Sequence, residues 1–119
     1  MKIIYANRKV EQLCTSVKAA TKLFGGDRKM AASLLSRINA IEKASVIMDI
    51  IMMPTFRFHK LQGKLKKYFA IDVKTSRDKW RIILQPLDET EKPFDPLNID
   101  EIAMTVKIVE IREVSAHYE

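Results

Sequence analysis

The stretch Tyr68–Leu84, YFAIDVKTSRDKWRIIL, decides the fold. Phe69, Ile71 and Val73 alternate with Tyr68, Ala70 and Asp72, and Trp80, Ile82 and Leu84 alternate with Lys79, Arg81 and Ile83. A period of two marks a half-buried strand, and the polar run Lys74–Asp78 between the two segments reads as a turn. The pair therefore predicts an antiparallel hairpin. With Phe69 and Trp80 toward the core, Tyr68 and Arg81 project from the opposite face, an assignment that a slip of one residue would reverse.

On the N-terminal side, Lys2–Ala6 reads as a strand and Asn7 as the cap of a helix. Val10, Leu13, Cys14, Val17, Ala20 and Phe24 then recur at helical spacing, which predicts one continuous helix ending at Gly25-Gly26. Asp27 caps a second helix with the stripe Met30, Leu34, Leu35, Ile38 and Ile41. Ser45 is placed to cap a short third one that Pro54 stops. This third segment is apolar on nearly every side, and its sequence fits either burial or a covering partner. On the C-terminal side, Pro86, Pro93 and Pro96 make Gln85–Glu101 a long loop. Ile102–Val114 alternates again and reads as the last strand. One domain, 1–119, follows. Its class is α+β, with an N-terminal strand, a helical hairpin plus a short third helix, and a mainly antiparallel sheet completed by a C-terminal three-strand meander.

Charge is distributed unevenly. Pro54–Leu84 holds nine Lys or Arg against Asp72 and Asp78, a formal +7, while the 53 residues before it sum to +5 and the 35 after it to −6. Phe56, Phe58, Tyr68, Phe69 and Trp80 interleave with those cations. Cations neutralise phosphates and rings stack on bases, so the segment suits RNA or single strands; a solvated basic face over an ordinary core has the same composition. The acids Asp88, Glu89, Glu91, Asp95, Asp100 and Glu101 gather in the proline-rich loop. That loop either folds back over the basic surface or keeps a basic protein in solution.

Other chemistries lack their residues. The 47% apolar composition contains no run long enough to span a bilayer, and the first residues show no signal-peptide pattern, so no membrane partner is expected. The lone Cys14 suits a reducing, cytoplasmic compartment. Two histidines without zinc spacing give no metal site, and no glycine-rich phosphate loop calls for a nucleotide, so no cofactor is expected. Metal-free RNA cleavage fits the residues present. The ribose 2′-hydroxyl is its own nucleophile, and the protein needs only a base, an acid and cations for the phosphoryl oxygens.

Phe58-His59-Lys60-Leu61-Gln62-Gly63, Tyr68-x-x-Ile71-x-Val73 and Lys79-Trp80-Arg81-Ile82 resemble the HigB branch of the RelE/ParE toxin superfamily. Three departures stand out, one of them an acidic loop longer than compact members of the family would need. Lys67 occupies the position of a glycine that often precedes the aromatic strand, and the tail reads Ser-Ala-His-Tyr-Glu rather than ending Asp-Tyr-His. The resemblance implies a RelE-like fold and the toxin of a type II toxin–antitoxin pair, a ribosome-dependent, metal-independent endoribonuclease (mRNA interferase) that inhibits translation by cutting mRNA. Its partners would be a HigA-like helix-turn-helix antitoxin and mRNA on the ribosome, with operator DNA reached only through the antitoxin complex. Catalytic candidates are His59, Arg81, His117 and Tyr118; candidates for holding RNA are Arg57, Lys60, Lys64, Lys66, Lys67, Tyr68, Arg77 and Lys79. Each has a plainer reading. Arg81 can form a cross-strand pair with Asp72, Tyr68 can simply pack, His59 can merely contact phosphate, and His117 and Tyr118 can be a tail without a role. Two other functions stay open, a ParE-like inhibitor that binds DNA gyrase without cleaving anything and a non-enzymatic RNA-binding module.

Overall fold

The computed structural model describes residues 1–116. Strand β1 (Lys2–Tyr5) leads to Asn7, whose side-chain oxygen accepts from the Val10 amide at 3.0 Å and starts α1 (Arg8–Thr15). The single helix expected here is two. Ser16 adopts extended backbone and accepts from the Ala19 amide at 3.2 Å, so it ends α1 and caps α2 (Val17–Leu23). A serine that can satisfy a free amide competes with continued helix, and apolar spacing does not register that competition. The break leaves Val17, expected in the stripe, 60% exposed. Gly25 and Gly26 lie in the left-handed region, with Gly26 N–H donating to Thr21 O and Gly25 N–H to Lys22 O. This paired arrangement satisfies the last carbonyls of α2.

Asp27 accepts from the Lys29 and Met30 amides and opens α3 (Arg28–Lys43), which buries Met30, Ala31, Leu34, Ile38 and Ile41. The amino group of Met1 donates to the carbonyls of Ile41, Glu42 and Ala44, placing a cation at the negative end of α3. The third helix, α4 (Ile47–Ile51), begins one residue later than Ser45 capping would place it. Val46 offers no side-chain oxygen. The Ile47 and Met48 amides are met instead by the carbonyls of Val106 and Ala103, and Asp49 reaches back to the Ser45 and Val46 amides. Ile47 and Ile50 are buried, while Met52 remains 72% exposed.

Strands β2 (His59–Lys60), β3 (Phe69–Asp72), β4 (Arg81–Leu87) and β5 (Ile108–Ser115) complete a five-stranded sheet in the order β1-β5-β4-β3-β2. Strands β1 and β5 pair in parallel and the other neighbours antiparallel. The hairpin has the expected register, with Phe69, Ile71, Val73, Ile82 and Leu84 in the core under the helices. Ala70 and Ile83 lie on the other face with Leu61 in a second, smaller cluster. Trp80, read as core, is half-buried and meets Phe24 edge-on at 5.0 Å.

Two boundaries differ from expectation. Gln85–Leu87, read as loop, continues β4 and pairs with Glu110, Val109 and Ile108. Strand β3 pairs with β4 only as far as Phe69–Leu84, so at Pro86 one side of β4 needs no ladder donor and proline is accommodated. Residues from 102 to 107, read as strand, instead finish the short helix α5 (Ile99–Ile102) and a turn whose Ala103 and Val106 are buried where their carbonyls serve α4. The acidic loop between β4 and α5 is tied down on the main core and on β1. Phe94, Leu97, Ile99 and Ile102 pack on the main core, and Glu91 pairs with Lys2 at 2.7 Å. Asp88 accepts from the Thr90 hydroxyl and the Thr90 and Lys92 amides; the Thr90 hydroxyl bond first, then the backbone bonds, hold its carboxyl below the usual range. These anchors hold the loop against the main core and β1, whereas the basic segment lies along β2 and β3 at the opposite edge of the sheet. No helix among the described residues is long and apolar enough to cross a membrane.

Candidate nucleic-acid interface

The face of the sheet away from the helices carries the charged residues. Directly opposed positions share a face, so His59–Ala70, Ala70–Ile83 and Ile83–Glu113 make one row across four strands. A second row runs Asp72–Arg81–Ser115. The small apolar cluster Leu61, Ala70 and Ile83 forms the floor, with Leu65 and Tyr68 packed against it.

Asp72 is the electrostatic centre of the end near the hairpin turn. It is 1% exposed, and a carboxylate so deep in the protein needs compensation from cations and donors. Arg57 meets it with a fork, Nε to Oδ2 at 2.8 Å and Nη2 to Oδ1 at 3.2 Å. Arg81 Nε lies 3.0 Å from Oδ1, an ionic contact rather than an aligned hydrogen bond. Arg37, from α3, donates through Nε to the Asp72 carbonyl and through Nη2 to those of Thr55 and Lys74, with its guanidinium 4.2 Å over the Phe56 ring. Desolvation lowers the Arg37 pKa, with Asp72 and Asp78 opposing that effect.

The three arginines differ in access. Arg81 is 5% exposed and spends Nη1 on the carbonyls of Asp78 and Trp80, with Nη2 on that of Ser76. The cross-strand pair with Asp72 is thus formed, and the guanidinium is enclosed by the turn it holds. Asp78 completes that turn by accepting from the Thr75 and Trp80 amides. The Arg57 side chain is 48% exposed and edges a shallow hollow of about 290 Å3 shared with Lys74, Thr75 and Ser76. Two cations and the hydroxyls of Thr55, Thr75 and Ser76 line this hollow together with the buried Asp72 carboxylate, which the Arg57 fork offsets, and such a set of donors suits a phosphate. Arg57 is also one of two non-glycine residues at positive φ among the described residues, at 46°, a conformation costing about 1–2 kcal/mol in an ordinary residue. Its carbonyl lies 2.6 Å from Nδ1 of His59.

The remaining candidates spread along the same edge. Lys60, Lys64, Lys66, Lys67, Arg77 and Lys79 are exposed, Lys64 within the 3-10 turn Gly63–Leu65, Lys60, Lys66 and Lys67 to either side of it, and the last two on the hairpin turn. Tyr68 is half-buried and partnered by a residue that sequence reading missed, Arg112. This guanidinium sits 5.0 Å over the Tyr68 ring and donates to its hydroxyl at 3.2 Å. Arg112 falls where β5 slips register between Glu113 and Ile111, and such bulges re-aim a side chain. It lies in the acidic third of the chain, outside the basic segment, so charge counting gave no signal for it. Arg37 and Glu113 were likewise invisible, since only strand and helix packing brings them here. His117 and Tyr118 lie outside the described residues. Among the described residues no cluster of His, Cys, Asp or Glu forms a metal site.

Comparisons with known proteins give the fold its relatives. No family model matches the chain, and no curated protein matches it in sequence. Among solved structures, the fold is similar to a chain of the YoeB-YefM complex from Staphylococcus aureus, with TM-score 0.52, 13% identity, and coverage of 99% of this chain and 98% of the other.

Proposed function

We propose that this chain is the toxin of a type II toxin–antitoxin pair and an endoribonuclease that cuts mRNA on the ribosome without a metal ion. The fold it shares with a chain of a YoeB-YefM complex supports a toxin of the RelE/ParE superfamily. The Phe58–Gly63 and Lys79–Ile82 motifs favour the HigB branch. The observation that carries the reading is the outer sheet face, where His59 stands beside a half-exposed Arg57, in a run of exposed lysines and over an apolar floor.

In this reading His59 takes the proton from the ribose 2′-hydroxyl as O2′ attacks the adjacent phosphorus. The P–O5′ bond breaks, the leaving 5′-oxygen is protonated by a second group, and a 2′,3′-cyclic phosphate remains. His117 and Tyr118 are the candidates for that second group. Arg57, with Lys74 across the hollow, stabilises charge on the phosphoryl oxygens. Lys60, Lys64, Lys66, Lys67, Arg77 and Lys79 hold the backbone, and the Tyr68–Arg112 pair offers a stacking platform for a base. Arg81, a catalytic candidate from the sequence, acts in this reading by securing Asp72 and the turn. The partners are a HigA-like helix-turn-helix antitoxin and ribosome-bound mRNA, with operator DNA contacted through the antitoxin complex, all in the cytoplasm.

Expression without its partner tests this directly. The expected result is growth arrest with new mRNA 5′ ends that appear only during translation, abolished by His59→Gln. Growth arrest with intact mRNA and inhibited gyrase supercoiling, or no arrest at all, would overturn it.

A further inference from the structure

The bond between His59 and Arg57 has a defined direction. A carbonyl oxygen only accepts, so the Nδ1 of His59, 2.6 Å from Arg57 O, carries the hydrogen. In the neutral ring the lone pair then sits on Nε2. This arrangement depends on a backbone conformation that arginine rarely adopts, φ 46° and ψ 51°. The side chain of the same residue is clamped in the fork to Asp72. Asp72 is itself fixed from three directions: its strand pairing with Arg81, the Arg81 guanidinium on its carboxylate, and Arg37 Nε on its carbonyl at 3.0 Å. A buried carboxylate thus holds a strained residue by its side chain, and the backbone of that residue holds the imidazole.

We propose that Asp72 is a positioning residue for His59: by clamping the Arg57 guanidinium it keeps the Arg57 carbonyl on Nδ1 and so leaves Nε2 as the proton acceptor. Asp72 need not touch RNA for this. The benefit to cleavage rests on the nuclease reading above, whereas the tautomer of His59 is measurable without it.

The test is long-range 1H–15N NMR of the histidine side chains in the full chain at pH 8, with the His59→Gln spectrum assigning the signals against His117. In the parent protein His59 should show the Nδ1–H pattern. Asp72→Asn and Arg57→Ala should each convert it to a mixture with substantial Nε2–H. Cleavage should fall on the order of 10²-fold in Asp72→Asn, the scale of a lost acid–base contribution. Should Asp72→Asn fail to fold, Arg57→Ala breaks the same chain of contacts while leaving the Asp72–Arg81 pair in place. Arg57→Lys, which keeps the charge but not the fork, should resemble Arg57→Ala in the spectrum. An Nε2–H pattern in the parent, or an unchanged Nδ1–H pattern in both variants, would overturn the proposal. The expected tautomer change in a protein with no RNA cleavage would support the clamp and sink the nuclease reading alone.

Discussion

Replacing Arg81 with alanine should damage the fold before it damages any chemistry. The guanidinium and the Asp72 carboxylate are 6% and 1% exposed at the side-chain level, so the pair is interior. Breaking a buried pair by deleting one partner costs about 3–5 kcal/mol, because the other charge is left without compensation. Here Asp72 retains the Arg57 fork, which favours the lower end of that range. The carbonyls of Asp78 and Trp80 lose charge-assisted donors at 2.9 and 2.7 Å, which argues against a smaller value. A cost of about 3–4 kcal/mol results. A domain of 119 residues unfolds with an entropy of about 0.25 kcal/mol per kelvin at its midpoint, so Tm should fall by about 12–16 °C. Thermal unfolding followed by circular dichroism, with the urea midpoint as a check, measures this. A Tm within about 3 °C of the parent together with lost cleavage would refute the reasoning and put the guanidinium on the reacting phosphate.

Tyr68→Ala should weaken binding of a short single-stranded RNA by about tenfold, since one stacked base contributes about 1–3 kcal/mol; an unchanged Kd in fluorescence anisotropy would make Tyr68 a packing residue. Burial raises the Cys14 thiol from 9.0 to about 12, and burial first, with Cys14, Glu42 and Glu11 nearby, raises the Tyr5 hydroxyl from 10.0 to about 12. Both groups hold their protons more tightly folded than unfolded, so their contribution is complete below about pH 9 and is lost between pH 9 and 12. Urea midpoints should fall across that window, and the fall should shrink in Cys14→Ala and Tyr5→Phe. The acidic loop, anchored on the main core and β1 at the far edge of the sheet from β2, should have no specific claim on RNA. Replacing Glu89, Asp95 and Glu101 with Ser should tighten RNA binding no more than neutralising acids elsewhere, such as Glu11 and Glu42, at matched salt. A larger gain that disappears at high salt would show that the loop competes with RNA.

What sequence reading reached, and where it stopped, follows from the range of the forces involved. The caps at Asn7 and Asp27, the Gly25-Gly26 stop and the faces of the hairpin depend on neighbours within a few residues, and periodicity exposes them. Ser16 breaks a helix through a local bond that leaves the apolar spacing unchanged. Pro86 is tolerated in β4 because β3 is short, a property of another element. Residues 102–107 alternate like a strand, yet their carbonyls are drawn to α4, far earlier in the chain. For the site, the basic segment and its aromatics were legible as composition. Asp72 as the meeting point of Arg37, Arg57 and Arg81 was not, because one partner comes from a helix and another from a turn. Arg112 was hidden for the same reason, and its aim depends on a slip of one residue in pairing.

The parallel pairing of β1 with β5, Lys2 on Ile108 through Tyr5 on Ile111, has a consequence for how the molecule comes into being. Strands β1 and β5 are separated by about a hundred residues of chain, and contacts of such sequence separation close late and slowly. Strand β5 also joins β1 to the rest of the sheet and contributes Glu113 and Arg112 to the outer face. The helices and the hairpin rest on local contacts and can form early, but that face cannot assemble until β5 has closed on β1 and β4. A folding step limited by the docking of β5 would therefore leave the helices and the hairpin formed while the outer face still lacks one of its walls.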